Sequence, residues 1–256
     1  MPINATRMFA FGVCPLTFYR NGTRTDQEGT GFFFQNEGTN FLVTSKHLLM
    51  DEVNGQRPDE VRFRVKTDRT DLTKAFDRSI SLSGGKTGWL RQIEPTSIDM
   101  VALELDSTVV AGCEIEYFTP DDFPPNDLLL HAGEDVLIAG YPLGHYDEVN
   151  NFPLVRSGSI ATLYGAQFKG RPYFEIEATL HPGTSGAPVL LKPTSTIHRT
   201  SQPFALMSSP VSYLLGIHSE GLEVSEGESF NVNRVWYASL IRDLTTWPPG
   251  VPRANK

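Results

Sequence analysis

Three residues far apart in the chain carry types that suit one chemistry. Ser185 lies in His181-Pro-Gly-Thr-Ser-Gly-Ala-Pro188, where small residues let the backbone turn sharply. A serine hydroxyl is a poor nucleophile until a base takes its proton. The oxyanion formed by its attack needs fixed N–H donors about 3 Å away. The N–H groups of Gly183 and Ser185 are placed to supply them, and Gly186 and Ala187 leave room for a substrate. Taken alone, residues 183–188 fit equally a glycine-rich hairpin turn with an incidental serine. His47, in Phe41-Leu-Val-Thr-Ser-Lys-His47-Leu-Leu, offers a base whose ordinary pKa lies near neutrality. Asp99 opens the apolar run Met100-Val-Ala-Leu103. A carboxylate entering a buried strand is costly unless paired, and an imidazole needs such a partner to fix its tautomer. His47, Asp99 and Ser185 thus fill the roles of base, orienting acid and nucleophile in that chain order.

The elements that must position them read as short strands. Residues 31–35, 41–44, 61–66, 101–105, 136–139, 174–178, 189–191 and 214–218 alternate with period two. Turn chemistry separates them at Asn21-Gly22, Asn54-Gly55, Ser83-Gly84-Gly85, Lys169-Gly170 and Glu226-Gly227. Such spacing predicts an all-β sandwich or barrel. The prolines of Thr119-Pro-Asp-Asp-Phe-Pro-Pro-Asn-Asp127 cannot join a central ladder. They mark a boundary between residues 1–118, with His47 and Asp99, and residues 119–256, with Ser185. A short helix is expected at 46–50 and a longer one at 234–245, where Val235, Leu240, Ile241 and Leu244 fall near helical spacing before the stop Pro248-Pro249. Residues 192–211 read as a polar surface insertion.

Composition narrows the function. The chain has 256 residues, 39% of them hydrophobic, enough for one large domain or two small cores. Its 18 prolines, 22 glycines and 16 phenylalanines are scattered, as short strands and many turns require. A net charge of −8 repels a phosphate backbone, so nucleic acid is not an expected partner. Two cysteines, Cys14 and Cys113, favour a reducing compartment, each acting as a small core hydrophobe. No long apolar run follows Arg7 as a signal peptide would, and no stretch of about 18 apolar residues suggests a span. The expectation is a cytoplasmic protein with no cofactor and no metal, since no cluster has metal-ligand spacing.

These segments together resemble the trypsin-like (chymotrypsin-fold) serine peptidases, especially their bacterial, disulfide-poor branch. Thr44-Ser-Lys-His47 resembles the family's histidine motif, Asp99-Met-Val-Ala-Leu its aspartate motif, and Pro182-Gly-Thr-Ser-Gly-Ala-Pro188 its nucleophile motif. Gly29-Thr-Gly-Phe-Phe, Ile138-Ala-Gly-Tyr-Pro-Leu-Gly144 and Leu215-Gly-Ile-His-Ser219 extend the match, the last resembling the strand that binds substrate backbone. The resemblance implies two six-stranded antiparallel β-barrels with a short C-terminal helix, and a serine endopeptidase working on a peptide or protein through an acyl-enzyme. Some positions depart from the pattern. Ala187 replaces the motif's last glycine. Thr184 stands where zymogen-activated relatives have an aspartate, and no Ile-Val-Gly-Gly-like start exists, so activation by N-terminal cleavage is not expected. Twelve residues follow Leu244, too few for the C-terminal peptide-binding domain of periplasmic relatives.

The same resemblance assigns substrate binding to Thr179, Leu180, His181, His218, Ser219, Glu220 and Gly221. Relatives that cut after Lys or Arg carry an aspartate where this chain has Thr179, so a basic preference is disfavoured. His218 stands where glutamate- and glutamine-specific relatives place a pocket histidine, which suggests Glu or Gln before the scissile bond; a satisfied core histidine is the alternative. His131, His145 and His198 lie in polar surroundings and read as solvated. Two other functions fit the same residues. One is a protease-fold recognition protein, the other a latent protease whose oxyanion loop waits for a regulatory protein partner.

Overall fold

Turn pairs and alternating residues build the first half. In the computed structural model, which describes residues 3–50, 57–83, 90–92, 97–202, 204–221 and 231–246, a helix α1 (Ala5–Phe11) precedes seven strands. These are β1 (Val13–Arg20), β2 (Thr23–Asn36), β3 (Thr39–Thr44), β4 (Glu60–Lys66), β5 (Ala75–Ser81), β6 (Leu90–Gln92) and β7 (Val101–Glu104). They form one antiparallel sheet in the order β5-β4-β1-β2-β3-β7-β6. Asn21 and Gly22, at φ 51° and 77°, join the paired residues Arg20 and Thr23. Left-handed backbone at both positions gives the turn whose twist matches a hairpin. Among the described residues this sheet has seven strands. Residues 13–20 and 75–81, whose alternation is masked by Pro15 and by exposed polar residues, pair on either side of β4.

The second half continues with β8 (Leu128–Leu129), β9 (Asp135–Gly140), β10 (Leu154–Ile160), β11 (Tyr173–Glu177), β12 (Pro188–Leu191), β13 (Thr194–Arg199), β14 (Ala205–Val211), β15 (Leu214–Gly221), β16 (Val232–Tyr237) and helix α2 (Ser239–Thr246). Six of these strands close a barrel in the order β10-β11-β16-β15-β12-β9, and β14-β13-β8 form a small separate sheet. Two expectations are corrected here. Residues 192–211 are not an irregular loop but the hairpin β13–β14, whose Ile197 and Val211 are buried against the barrel core. The abundant Ser and Thr concealed that alternation. Residues 234–245 do not form one helix: Val232–Tyr237 is a strand laddered to both β11 and β15, and α2 begins at Ser239. Val235, counted as a helix-face residue, is buried inside the barrel. The short helix near 46–50 is a 3₁₀ turn at Lys46–Leu48. The turns at Asn54-Gly55, Gly84-Gly85 and Glu226-Gly227 and the stop at Pro248-Pro249 lie outside the described residues.

An aromatic layer lies between sheet and barrel. Phe32, Phe34 and Phe41 meet Tyr141, Tyr173, Leu214 and Trp236, and α2 adds Leu240, Ile241 and Leu244. Burying side chains of this size contributes roughly 1.5–3 kcal/mol each. The layer holds β2 and β3 against β9, β12 and β15, where the candidate residues converge. Cys14 is buried in the sheet's own core, with its thiol pKa pushed up by burial, while Cys113 is partly exposed. Among the described residues no helix is long and apolar enough to cross a membrane.

Candidate active site

Strand β3 pairs with β7 through Thr44 and Val101, which brings the residues just beyond each strand together. His47 and Asp99 are those residues. The His47 backbone N–H donates to Asp99 Oδ1 at 2.7 Å, and His47 Nδ1 lies 2.6 Å from Asp99 Oδ2. A carboxylate only accepts, so Nδ1 carries the imidazole proton and Nε2 keeps its lone pair. Ser219 Oγ also donates to Asp99 Oδ2. Burial pushes the Asp99 pKa up, but the hydrogen bonds and charge of His47 and the Ser219 hydroxyl outweigh it, leaving Asp99 below the usual carboxylate value. The aspartate is therefore ionised at neutral pH.

Ser185 sits inside the second of two consecutive tight turns. Thr184 N–H donates to His181 O at 3.1 Å, with Pro182 and Gly183 between them and Gly183 at φ 92°. Pro followed by a left-handed Gly is the type II pattern. Ala187 N–H then donates to Thr184 O at 3.0 Å, with Gly186 at φ 89°. A side chain at Gly186 would collide with the Thr30 carbonyl and the Thr44 hydroxyl, so this position demands glycine on two counts.

Each peptide unit around Ser185 is anchored from outside the turns. Leu143 N–H donates to Pro182 O at 2.7 Å. Because the peptide is planar and trans, this aims the Gly183 N–H the opposite way. Leu143 is itself left-handed, at φ 54°, with its side chain 67% exposed. Thr30, fully buried on β2, donates its hydroxyl to Gly183 O at 2.8 Å and accepts from Tyr141 N at 3.1 Å. Its own N–H donates to Ser185 O at 2.9 Å. The Ser185 hydroxyl donates to the Ser219 carbonyl at 2.7 Å. A hydroxyl has one proton, so the bond to Ser219 O must be given up before Ser185 can donate to His47.

The predicted substrate-binding residues divide into groups. Ser219 and His218 lie beside Ser185, and His181 enters only through its carbonyl, its side chain being exposed. Thr179 is exposed, and Leu180 is half-buried against the barrel core. Glu220 and Gly221 are described in their backbone alone; the β15–β16 register shifts between His218 and Gly221, across the segment holding Ser219 and Glu220. His131 and His145 are exposed, but His198 is half-buried, its ring 5.5 Å from that of His131.

His218 is 3% exposed, and burial lowers its pKa to about 4. Its Nδ1 lies 3.1 Å from Thr184 O. A carbonyl only accepts, so the neutral ring carries its proton on Nδ1 and presents a lone pair at Nε2. Asn233 lies beside the ring and favours its charged form, yet Nε2 is buried without a hydrogen-bond partner among the described residues. The Asn233 amide N–H groups are committed to Ala178 O at 2.7 Å and Asn231 O at 3.2 Å. Sequence reasoning missed Thr30, Leu143 and Asn233. Asn233 did carry a signal, as a polar residue in Val232-Asn-Arg-Val-Trp236.

Comparison with known proteins bears on the family and the fold. The sequence profile of the trypsin-like peptidase domain matches residues 29–194. The fold is similar to that of a serine endoprotease from Yersinia pestis, with TM-score 0.54 and 16% identity over 95% of this chain; the match covers 65% of the Yersinia chain. It is also similar to a protease from M. tuberculosis in its active form, with TM-score 0.52 and 15% identity, covering 99% of this chain and 90% of that one. A search of curated proteins by sequence found no match.

Proposed function

The chain belongs to the trypsin-like peptidase family, and from that premise we propose a serine endopeptidase using His47, Asp99 and Ser185. In the proposed reaction the Ser185 hydroxyl passes its proton to His47 Nε2 as its oxygen bonds the scissile carbonyl carbon. The displaced π pair makes the carbonyl oxygen an oxyanion, received by the N–H groups of Gly183 and Ser185. Collapse re-forms the carbonyl and expels the amine, which takes the proton back from His47. Water then repeats the sequence on the acyl-enzyme. The observation that carries this reading is the double hydrogen bond from His47 to Asp99, joined through Ser219 to a nucleophile turn whose carbonyls are held on every side. The ordered turn favours a site assembled at rest over a latent one. Two free cysteines support a reducing compartment such as the cytoplasm.

For the residue before the scissile bond, the proposal is an amide or acid side chain read by His218. A neutral ring with its proton on Nδ1 offers an acceptor at Nε2, which matches the N–H of glutamine rather than the oxygens of glutamate. Glutamine is thus expected to be favoured at neutral pH, with glutamate gaining as the ring protonates. The test is labelling with a fluorophosphonate probe, followed by cleavage profiling on a proteome-derived peptide library. Labelling of the wild type but not Ser185→Ala is expected, with glutamine enriched before the cut. No labelling would favour a recognition protein. Enrichment of Lys or Arg would overturn the His218 assignment.

A further inference from the structure

The hydrogen bond that fixes the His218 tautomer falls on a particular carbonyl. Thr184 O belongs to the same peptide unit as the Ser185 N–H, one of the two donors assigned to the oxyanion. In a planar trans peptide these two groups point in opposite directions, so whatever holds the carbonyl aims the N–H. Two donors hold it: Ala187 N–H at 3.0 Å, from within the turn, and His218 Nδ1 at 3.1 Å, from β15. Only the second ties the peptide to the barrel wall. The same residue grips the turn twice more through its backbone, accepting from Gly186 N at 2.8 Å and donating to Ala187 O at 2.9 Å.

We propose that His218 is a positioning residue for the oxyanion donor at Ser185, acting through Nδ1–H on the Thr184 carbonyl. This rests on the peptidase reading above but is separate from the subsite reading, which uses the other ring nitrogen. Nδ1 keeps its proton whether the ring is neutral or charged, so the hold persists at every pH. Nε2 changes from acceptor to donor on protonation. One buried side chain would therefore serve two ends: Nδ1 steadies the peptide that stabilises the transition state, and Nε2, buried without a partner among the described residues, is left for the proposed subsite. A donor arriving at Nε2 polarises the ring and strengthens the Nδ1 bond, so a matched substrate gains in kcat as well as in binding.

Two nearly isosteric variants separate the roles. In His218→Asn the side-chain amide nitrogen occupies the position of Nδ1 and still donates to Thr184 O; in His218→Leu the same volume carries no donor. Both lack Nε2. With the best substrate from the library profile, kcat for the Leu variant is expected to fall about 10- to 100-fold below that of the Asn variant at similar KM. A peptide aldehyde, whose adduct with Ser185 places an oxyanion in the same site, is expected to lose affinity in step. Both variants should lose any preference for glutamine. Equal kcat in the two folded variants would overturn the positioning role. Wild-type enzyme without a glutamine preference would sink the subsite reading alone, leaving the Asn–Leu ratio to decide positioning. Imidazole ¹⁵N shifts of the wild type give a readout independent of activity and of either variant's folding. A neutral ring protonated at Nδ1 is expected at pH 7, and protonation at Nε2 would refute the proposal even in an inactive protein.

Discussion

Ser219 touches both ends of the proposed triad, its hydroxyl on Asp99 and its carbonyl under the Ser185 hydroxyl. Ser219→Ala removes the first contact and spares the second. A hydrogen bond to a charged group is worth about 1.5–3 kcal/mol, so kcat/KM is expected to fall roughly 10- to 100-fold. The carboxylate would also lose a bond that lowers its pKa, moving the acid limb of the pH–rate profile upward. Steady-state kinetics across pH checks both effects, and an unchanged profile would mean that His47 alone sets the charge of Asp99. His218 gives a second residue-scale prediction, in stability. Its pKa is about 4 when folded against 6.5 for an ordinary histidine. Between those values the unfolded chain binds the proton and the folded chain does not. Stability therefore rises with pH across that window and is lost as pH falls through it, by on the order of 3 kcal/mol in total. Urea titrations of wild type and His218→Asn at several pH values should show a slope in the first that is smaller in the second.

At the scale of elements, β2 of the sheet reaches the barrel's Ser185 turn through Thr30. Thr30→Val keeps the shape but leaves Gly183 O and Tyr141 N without the hydroxyl that serves both. Each buried group left unpaired costs about 1–3 kcal/mol. The variant is expected to melt earlier and to lose kcat more than KM, with Thr30→Ser restoring both. Loss of stability with full kcat would confine Thr30 to a structural role. The sequence made His47, Asp99 and Ser185 legible because each is named by its own type inside a local motif. The strands β2, β3, β4, β7, β9, β11, β12 and β15 were legible because they are rich in buried apolar residues, on both faces in β3, β7, β11 and β12. Thr30 was not, since nothing in Gly29-Thr-Gly tells which carbonyl, 153 residues away, the hydroxyl will meet. Leu143 acts through its backbone, where the side chain gives no sign. Strand β16 was read partly as helix because Val235, Leu240 and Ile241 mimic helical spacing across a strand–helix junction.

Over the whole molecule, the candidate site has no existence within either half. The sheet side supplies His47, Asp99 and Thr30, the barrel side supplies Ser185, Leu143 and His218, and the aromatic layer fixes one against the other. Denaturant is therefore expected to remove hydrolysis and circular-dichroism signal in one coincident transition, and loss of activity well before loss of strand signal would show that the layer opens first. The reach of Thr30 across that layer has a further consequence. A nick among residues 119–127 would yield two pieces, one with the proposed nucleophile and one with its proposed base and the threonine that steadies the Ser185 turn. Separated, neither piece could hydrolyse anything; docked through the shared aromatics, the nicked protein would keep working. The molecule would in that respect serve as a complementation pair, two silent fragments whose reunion is expected to be reported by the cutting of a substrate.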